Sequence, residues 1–431
     1  MKKTYLIIAL AVLFLVAEAL IFYPDYDSPR IIKFLILTQV MFAISIGLYF
    51  IGRKLDFQQK HRQIFFILLG LAMAARVIMV VGAEDHFYLS DDVYRYIWDG
   101  KVNTNGINPF LYNPTEPELA HLQDDVIFPY INHPWFPTIY PPTAQNIFAL
   151  VYIIGGDGTW AFKLISALFE LLTIAALMVW MRIAGIPKAN LLLYLYSPLI
   201  LVEFYLSAHL DILAMPFLIC GLIAVEHKRG GLAGIVLALA IMVKFLGLIF
   251  VPFFFKKLPK NQRWIFVLTT VLTVVLLYLP YISGSDGNFL GSLGEYLETW
   301  QFNGSAYILF YLIFGMNTAR IICGSLIVLF VLWYFFKQEG FYSGQFKSYA
   351  VFLIFTPVFF PWYFIWIFPF ILRNLSPAFI YLSSATLLSY DVFIMFYSAG
   401  YWQEIIWLRL LIYLPFYALL LRTGILSLRK K

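Results

Sequence analysis

The sequence predicts an all-α polytopic membrane protein, and three observations carry that expectation. Of 431 residues, 62% are hydrophobic and only 13% are charged, about half the charge that a water-facing surface carries. The apolar residues gather in uninterrupted runs of about 20, the length a helix needs to cross a hydrocarbon core of ~30 Å. The basic residues between these runs fall on one side. The composition alone excludes a soluble enzyme, a nucleic-acid binder and a disordered scaffold.

Ten runs read as full spans: 5–22, 34–51, 63–82, 160–181, 191–206, 212–225, 264–281, 319–336, 377–396 and 404–421. Lys2, Lys3, the basic residues of 53–62, Arg182, Lys188, Lys228, Arg229, those of 256–263, Lys337, Lys347, Arg373 and Arg429–Lys430–Lys431 share one face. Only Asp56, Glu226 and Glu339 join them there. The positive-inside rule makes that face cytoplasmic and puts both termini on it. The expectation is a multi-pass protein of the inner or plasma membrane, one integral domain over 1–431. Lys2, Lys3, the first apolar run and Ala17-Glu18-Ala19 also fit a cleavable signal peptide, although a chain inserted by its first helix gains little from cleavage. Cys220 and Cys323 lie in apolar runs and read as packing residues, with no disulfide framework or metal spacing.

Two further runs, 231–255 and 347–372, begin and end beside basic residues of the same face. Each half has about 12 residues, roughly 18 Å of helix, too short to cross. They read as broken helical hairpins whose tips, Lys244–Phe245 and Pro361–Trp362, line a polar cavity, because unwound backbone cannot face lipid. One tilted span each is the alternative, and charge counting leaves both open. The shorter runs 143–154 and 306–316 read as juxtamembrane helices on the outer side.

The outer loop, 83–142, carries the most informative residues. It opens with Ser90-Asp91-Asp92-Val93-Tyr94-Arg95-Tyr96-Ile97-Trp98-Asp99-Gly100. It continues through Gly106-Ile107-Asn108-Pro109-Phe110 to Thr138-Ile139-Tyr140-Pro141-Pro142-Thr143-Ala144-Gln145. Tyr96 and Asp99 follow Asp92 at i+4 and i+7 while Val93 and Ile97 form an apolar strip, which suits an amphipathic helix lying along the surface. Asp91 sits where the helix dipole favours an anion, so it reads equally as an N-cap or as a reactive carboxylate.

This string resembles the signature of bacterial polyprenyl-phosphate-sugar-dependent glycosyltransferases of the GT-C fold, mannosyltransferase-like enzymes similar to the GPI mannosyltransferases. The resemblance extends through Ser207-Ala208-His209-Leu210-Asp211, Ala240-Ile241-Met242-Val243-Lys244-Phe245, Thr299-Trp300-Gln301-Phe302-Asn303 and Pro361-Trp362-Tyr363. It implies a GT-C-like fold that transfers a sugar, a hexose such as mannose or a pentose, from a polyprenyl-phosphate donor to a hydroxyl on an outer-face acceptor, with inversion. It makes Asp91 the general base and Asp92 its helper, and it assigns His209 and Asp211 to a second polar motif. Relatives often read His-Asn-Asp where this chain has Leu210 in the middle, and a His where it has Phe360, so roles resting on those two residues are lost.

Elementary chemistry runs parallel to the resemblance. Displacing a lipid phosphate needs a carboxylate to take the acceptor proton and cations to stabilise the departing oxygens. Ionised residues at membrane depth are functional candidates by default. Lys244, Arg95, Arg320 and Lys163 are thus the candidate phosphate contacts, each with a structural alternative. Lys244 could pair with Glu203 or Glu170, Arg95 could brace the acidic pair, Arg320 could snorkel to headgroups, and Lys163 could pair with Glu170. Arg76 could pair with Glu84 or Asp85. Trp362 and Tyr363 suit stacking on the sugar or anchoring at the interface, and Tyr140 suits substrate contact or a fixed turn before a short helix.

The lipid supplies the leaving group, so no nucleotide-binding glycine loop is required, and no cofactor is certain. His121, His133 and His209 lack metal-ligand spacing, while a Mg or Mn ion held by Asp91, Asp92 and Asp211 stays open. The partners implied are the lipid-linked donor, a glycan, glycolipid or protein acceptor, and membrane lipid, with no nucleic acid. The rival class is a transporter or lipid flippase, which also uses intramembrane charges and broken helices. No internal repeat supports it.

Overall fold

The structure, a computed structural model, describes residues 2–22, 30–82, 89–282, 288–337 and 339–428. Among these residues there is no strand, only helices and one isolated parallel bridge between Phe302 and Val358. The all-α expectation holds for the reason it was made: in lipid, a helix satisfies its own backbone. The expected pairing of Arg76 with Glu84 or Asp85 lies outside the described residues.

Helices α1 (Lys2–Ala19), α2 (Arg30–Gly52) and α3 (Arg62–Gly82) pack as a group. The long loop contributes α4 (Asp92–Thr104), which lies against α5 (Pro142–Gly155). Then come α6 (Trp160–Ile183), the fragments α7 (Leu192–Leu195) and α8 (Pro198–Leu201), and α9 (Met215–Glu226). A first hairpin of α10 (Gly230–Ile241) and α11 (Val251–Lys257) is flanked by α12 (Lys260–Tyr278). Next are α13 (Leu293–Thr299), α14 (Ala306–Phe314) and α15 (Met316–Phe336). A second hairpin, α16 (Phe341–Phe355) and α17 (Phe368–Asn374), precedes α18 (Pro377–Ala385), α19 (Val392–Ala399) and α20 (Ile406–Leu428).

Among the described residues, seven elements are long and apolar enough to cross a membrane, or eight if one bent pair counts, against the ten expected. The three exceptions have separate causes. The 191–206 run is bent by 49° between Lys188–Leu195 and Pro198–Leu206, because a proline ring removes a helical hydrogen bond and clashes with the preceding turn. The 212–225 run opens as a 3₁₀ turn, Leu210–Ala214, which leaves α9 only 12 residues. The 5–22 run ends as helix at Ala19 and carries a fully buried Glu18.

Both hairpins form. The foot of the first is closed by the Gly230 N–H donating to Gln262 Oε1 at 2.9 Å, so the chain enters and returns to one level. In the second, the Arg373 guanidinium lies 4.4 Å from the Tyr342 ring, joining the end of α17 to the start of α16. The basic segments meet at this end of the molecule. Lys188 lies over Phe65, Asn190 donates to the Leu372 carbonyl, Lys257 approaches Glu226 and Arg373 donates to the Ala184 carbonyl. The opposite end gathers the long loop, residues 288–303 and both hairpin tips.

Candidate active site

The segment that carries the acidic pair is sunk into the protein. Val93 through Val102 are all buried, so α4 is a packed helix and not the surface-lying one its periodicity suggested. Gly100 permits this: a Cβ there would stand 2.2 Å from the Phe148 carbonyl oxygen of α5. Only a residue without a side chain allows two backbones to approach so closely.

At the start of α4, Asp91 occupies the N-cap position but makes no side-chain cap. Ser90 does so in its place, its Oγ accepting from the Asp92 N–H at 3.3 Å. Both carboxylates turn to Asn132, whose Nδ2 donates to Asp91 Oδ1 at 2.9 Å and Asp92 Oδ1 at 2.6 Å. The two differ in setting. Asp91 is exposed; Asp92 is half-buried, accepts from the Tyr96 hydroxyl at 3.2 Å, and lies 3.8 Å from His209 Nε2. Burial, helped by the charge of Asp91, pushes the Asp92 carboxyl up to about 6, with the hydrogen bonds from Asn132 and Tyr96 pulling the other way.

The hairpin tips supply the cation. Lys244 has an extended backbone, at φ −158° and ψ 131°, between the end of α10 and a 3₁₀ turn. Its Nζ donates to Asp211 Oδ2 at 2.8 Å and lies 4.2 Å from the centre of the Tyr363 ring, a cation–π contact between the two tips. Asp211 is fully buried, and its other oxygen accepts from Trp366 Nε1 at 2.8 Å. Tyr363 in turn shares a 2.5 Å hydroxyl contact with Tyr296. The carboxylate partner of Lys244 is therefore Asp211, not Glu203 or Glu170.

His209 links this cluster to the acidic pair. Its Nε2 is 3.1 Å from Ser90 Oγ, its Nδ1 is 2.9 Å from Glu203 Oε2, and Trp362 stacks on its ring at 3.6 Å. Phe360, where relatives often carry histidine, stacks on Trp362 at 4.3 Å and extends the column.

The remaining candidates are placed differently. Arg95 is buried and pairs with Asp99 at 2.9 Å, not with Asp91 or Asp92; Asp99 also accepts from Thr138 Oγ1 and Gln145 Nε2. Tyr140 packs edge-on against Tyr96 at 5.2 Å. Arg320 donates through Nη2 to the Trp300 carbonyl at 2.9 Å, while its Nε and Nη1 carry no hydrogen bond. Lys163 is buried in α6 next to Phe162, which packs on Tyr96. It is not the partner of Glu170. That carboxylate takes Arg76, at 2.8 Å and 3.3 Å, and the Tyr205 hydroxyl at 2.9 Å. Among the described residues, no group of three His, Cys, Asp or Glu side chains is disposed to hold a metal ion. Both Asp211 oxygens are committed to protein donors, so the residues present do not fit the Mg or Mn ion held by Asp91, Asp92 and Asp211.

Sequence reasoning missed Asn132, which lies in a motif-free loop, and Trp366, one aromatic among many. Glu203 carried a usable signal, an ionisable group in an apolar run, but the expected partner was wrong.

Residues 88–258 match the family described as alpha-(1->6)-mannopyranosyltransferase, N-terminal domain. That segment is similar to a mannosyltransferase N-terminal domain over about two fifths of the chain. The match supports a bacterial mannosyltransferase-like family of GT-C type, as the resemblance implied, and with the span-capable helices it supports glycosyl transfer by a membrane protein. Asp91, Asp92, Tyr140, His209, Asp211 and Lys244 all lie inside the matched mannosyltransferase segment, whereas Arg320, Trp362 and Tyr363 come from outside it. No curated protein and no solved structure matches the chain.

Proposed function

We propose that this chain transfers mannose from a polyprenyl-phosphate-linked donor to a hydroxyl acceptor, by direct displacement with inversion. The site faces the extracytoplasmic side of the inner or plasma membrane, the termini lie in the cytoplasm, and 1–431 works as one integral domain. One observation carries the reading: a half-buried lysine at the meeting point of two hairpin tips lies within electrostatic reach of Asp92, one of the two carboxylates on the loop above. A lipid-linked phosphosugar has its charge at this depth and its tail in the bilayer, so the cation meets the phosphate and the carboxylates meet the acceptor.

In this reading Asp91, the exposed member, takes the acceptor proton. Asp92, ionised, holds Asn132 and Tyr96 in place beside it. Lys244 uses its remaining donor capacity to stabilise charge on the leaving phosphate. The unpaired nitrogens of Arg320 make it a second contact for the donor's anionic group, Lys163 a third. His209, Asp211, Tyr140, Trp362 and Tyr363 shape the cavity for the sugar.

The reconstituted protein tests this directly. Given polyprenyl-phosphate mannose labelled in the sugar, it is expected to release polyprenyl phosphate and form a product of inverted anomeric configuration. Consumption of a nucleotide sugar and not the lipid donor would overturn the donor assignment. Movement of a solute or lipid without any bond cleavage would favour a transporter.

A further inference from the structure

The ends of five helices that lie far apart in the sequence converge where the basic segments meet. α6 stops at Ile183, α9 at Glu226 and α11 at Lys257, while α16 starts at Phe341 and α17 ends at Asn374. Together they surround a cavity of about 500 Å³ that opens at the surface, within the range of roughly 300–1,000 Å³ that ligand pockets occupy. Its depth is that of a lipid headgroup. The span-capable elements beside it end or begin at Ile183, Lys260 and Pro377, so the hydrocarbon stops at this level.

The lining is charged and held in place. Trp180 Nε1 donates to the Tyr342 hydroxyl oxygen at 3.2 Å, and that hydroxyl donates to Glu226 Oε1 at 2.5 Å. The ring so fixed carries the Arg373 guanidinium on its face, while Arg373 Nη1 donates to the Ala184 carbonyl at 2.8 Å. Arg373 Nε and Nη2 make no hydrogen bond among the described residues. Neither does Lys257 Nζ, which stands 3.8 Å from Glu226 Oε1. Two cations therefore line the cavity against one carboxylate, which Tyr342 already engages. A guanidinium and an ammonium with spare donors suit phosphate oxygens, and basic pockets between membrane helices at this level take anionic headgroups.

We propose that this cavity binds the phosphate of an anionic ligand, a phospholipid headgroup or the free anion, through Arg373 and Lys257. Bound there, one phosphate joins the feet of the two hairpins whose tips carry Lys244 and Tyr363. The unfolded chain does not bring Lys257 and Arg373 together, so the ligand stabilises the folded state alone. The inference is independent of the proposed sugar transfer.

The test places the full-length protein in nanodiscs of phosphatidylcholine, with or without phosphatidylglycerol, and follows thermal unfolding with and without inorganic phosphate at constant ionic strength. Phosphatidylglycerol or inorganic phosphate should raise the wild-type unfolding temperature, and whichever does so is the source of the phosphate. Lys257→Gln and Arg373→Gln should each lose most of that rise. Lys257→Gln breaks no hydrogen bond and leaves Arg373 stacked on Tyr342, so it keeps the test decisive if Arg373→Gln folds poorly. Lys54→Gln combined with Lys60→Gln removes two exposed charges from the same face outside the cavity and should keep the full rise. No rise in the wild type with either addition, an equal rise in Lys257→Gln, or the same loss in the Lys54 and Lys60 variant would overturn the proposal.

Discussion

Lys244 Nζ lies between Asp211 Oδ2, at 2.8 Å, and the face of the Tyr363 ring, at 4.2 Å, so one ammonium ties the tip of the first hairpin to an inner helix start and to the second hairpin. Lys244 is partly exposed but Asp211 is fully buried, and a buried charge left without its partner costs up to about 3–5 kcal/mol. Lys244→Met should therefore lower thermal stability strongly, and Lys244→Met with Asp211→Asn should recover much of it. Neither variant should bind the lipid phosphate normally. Thermal unfolding in detergent, read beside donor affinity, separates the two effects; full donor affinity in the double variant would remove Lys244 from the phosphate site.

Among the described residues, Asn132 Nδ2 donates to both Asp91 and Asp92. Hydrogen bonds to charged groups contribute about 1.5–3 kcal/mol each, which corresponds to a rate factor of roughly ten or more. Asn132→Ala should reduce kcat by at least that factor while leaving the unfolding temperature nearly unchanged, because Asn132 is only partly buried. Equal turnover in the two proteins would mean that the pair needs no external brace.

The acid limb of the pH–rate profile follows from Asp92, whose carboxyl is pushed up to about 6 by burial and by Asp91. The pair works ionised, so activity should rise with pH through a midpoint near 6. The bond from Asn132 favours the ionised form, so the residual activity of Asn132→Ala should show this midpoint moved to higher pH. A midpoint that stays put or moves down in that variant would detach the limb from Asp92.

Much of this was legible in the sequence, and the gaps have physical causes. The two hairpins could be read because their basic ends face one way and their halves are too short to cross. Lys244 stood out as a candidate because charge at membrane depth is costly, while the acidic pair and the His209–Asp211 motif stood out through their resemblance to a family signature. The bend at Pro198 and the short α9 escaped, since an apolar run does not reveal where its backbone breaks. Partner choice escaped as well. Glu170 stands seven residues from Lys163 on one helix, yet it pairs with Arg76 across to α3, a contact that only tertiary packing decides. Helical spacing also showed α4 as amphipathic without showing that Gly100 would let it sink against α5.

That packing gives a stability test remote from the chemistry. Gly100→Ala drives a methyl group into the Phe148 carbonyl, and overpacking of this kind typically costs about 1–3 kcal/mol. Its unfolding temperature should fall. Wild-type stability in Gly100→Ala would show that α4 and α5 separate easily.

The same logic applies to Arg76 and Glu170, both buried and joined by two hydrogen bonds. Glu170→Ala should destabilise the protein by about 3–5 kcal/mol, measured by unfolding in denaturant, more than Arg76→Met with Glu170→Leu together. Equal losses in the single and double variants would mean that the charges are not coupled.

Release of polyprenyl phosphate from a lipid-linked mannose donor, compared between wild type and Asp91→Asn in nanodiscs, tests the central claim most directly. The account expects steady release by the wild type and its near-complete loss in a folded Asp91→Asn protein. Undiminished release by Asp91→Asn would contradict it.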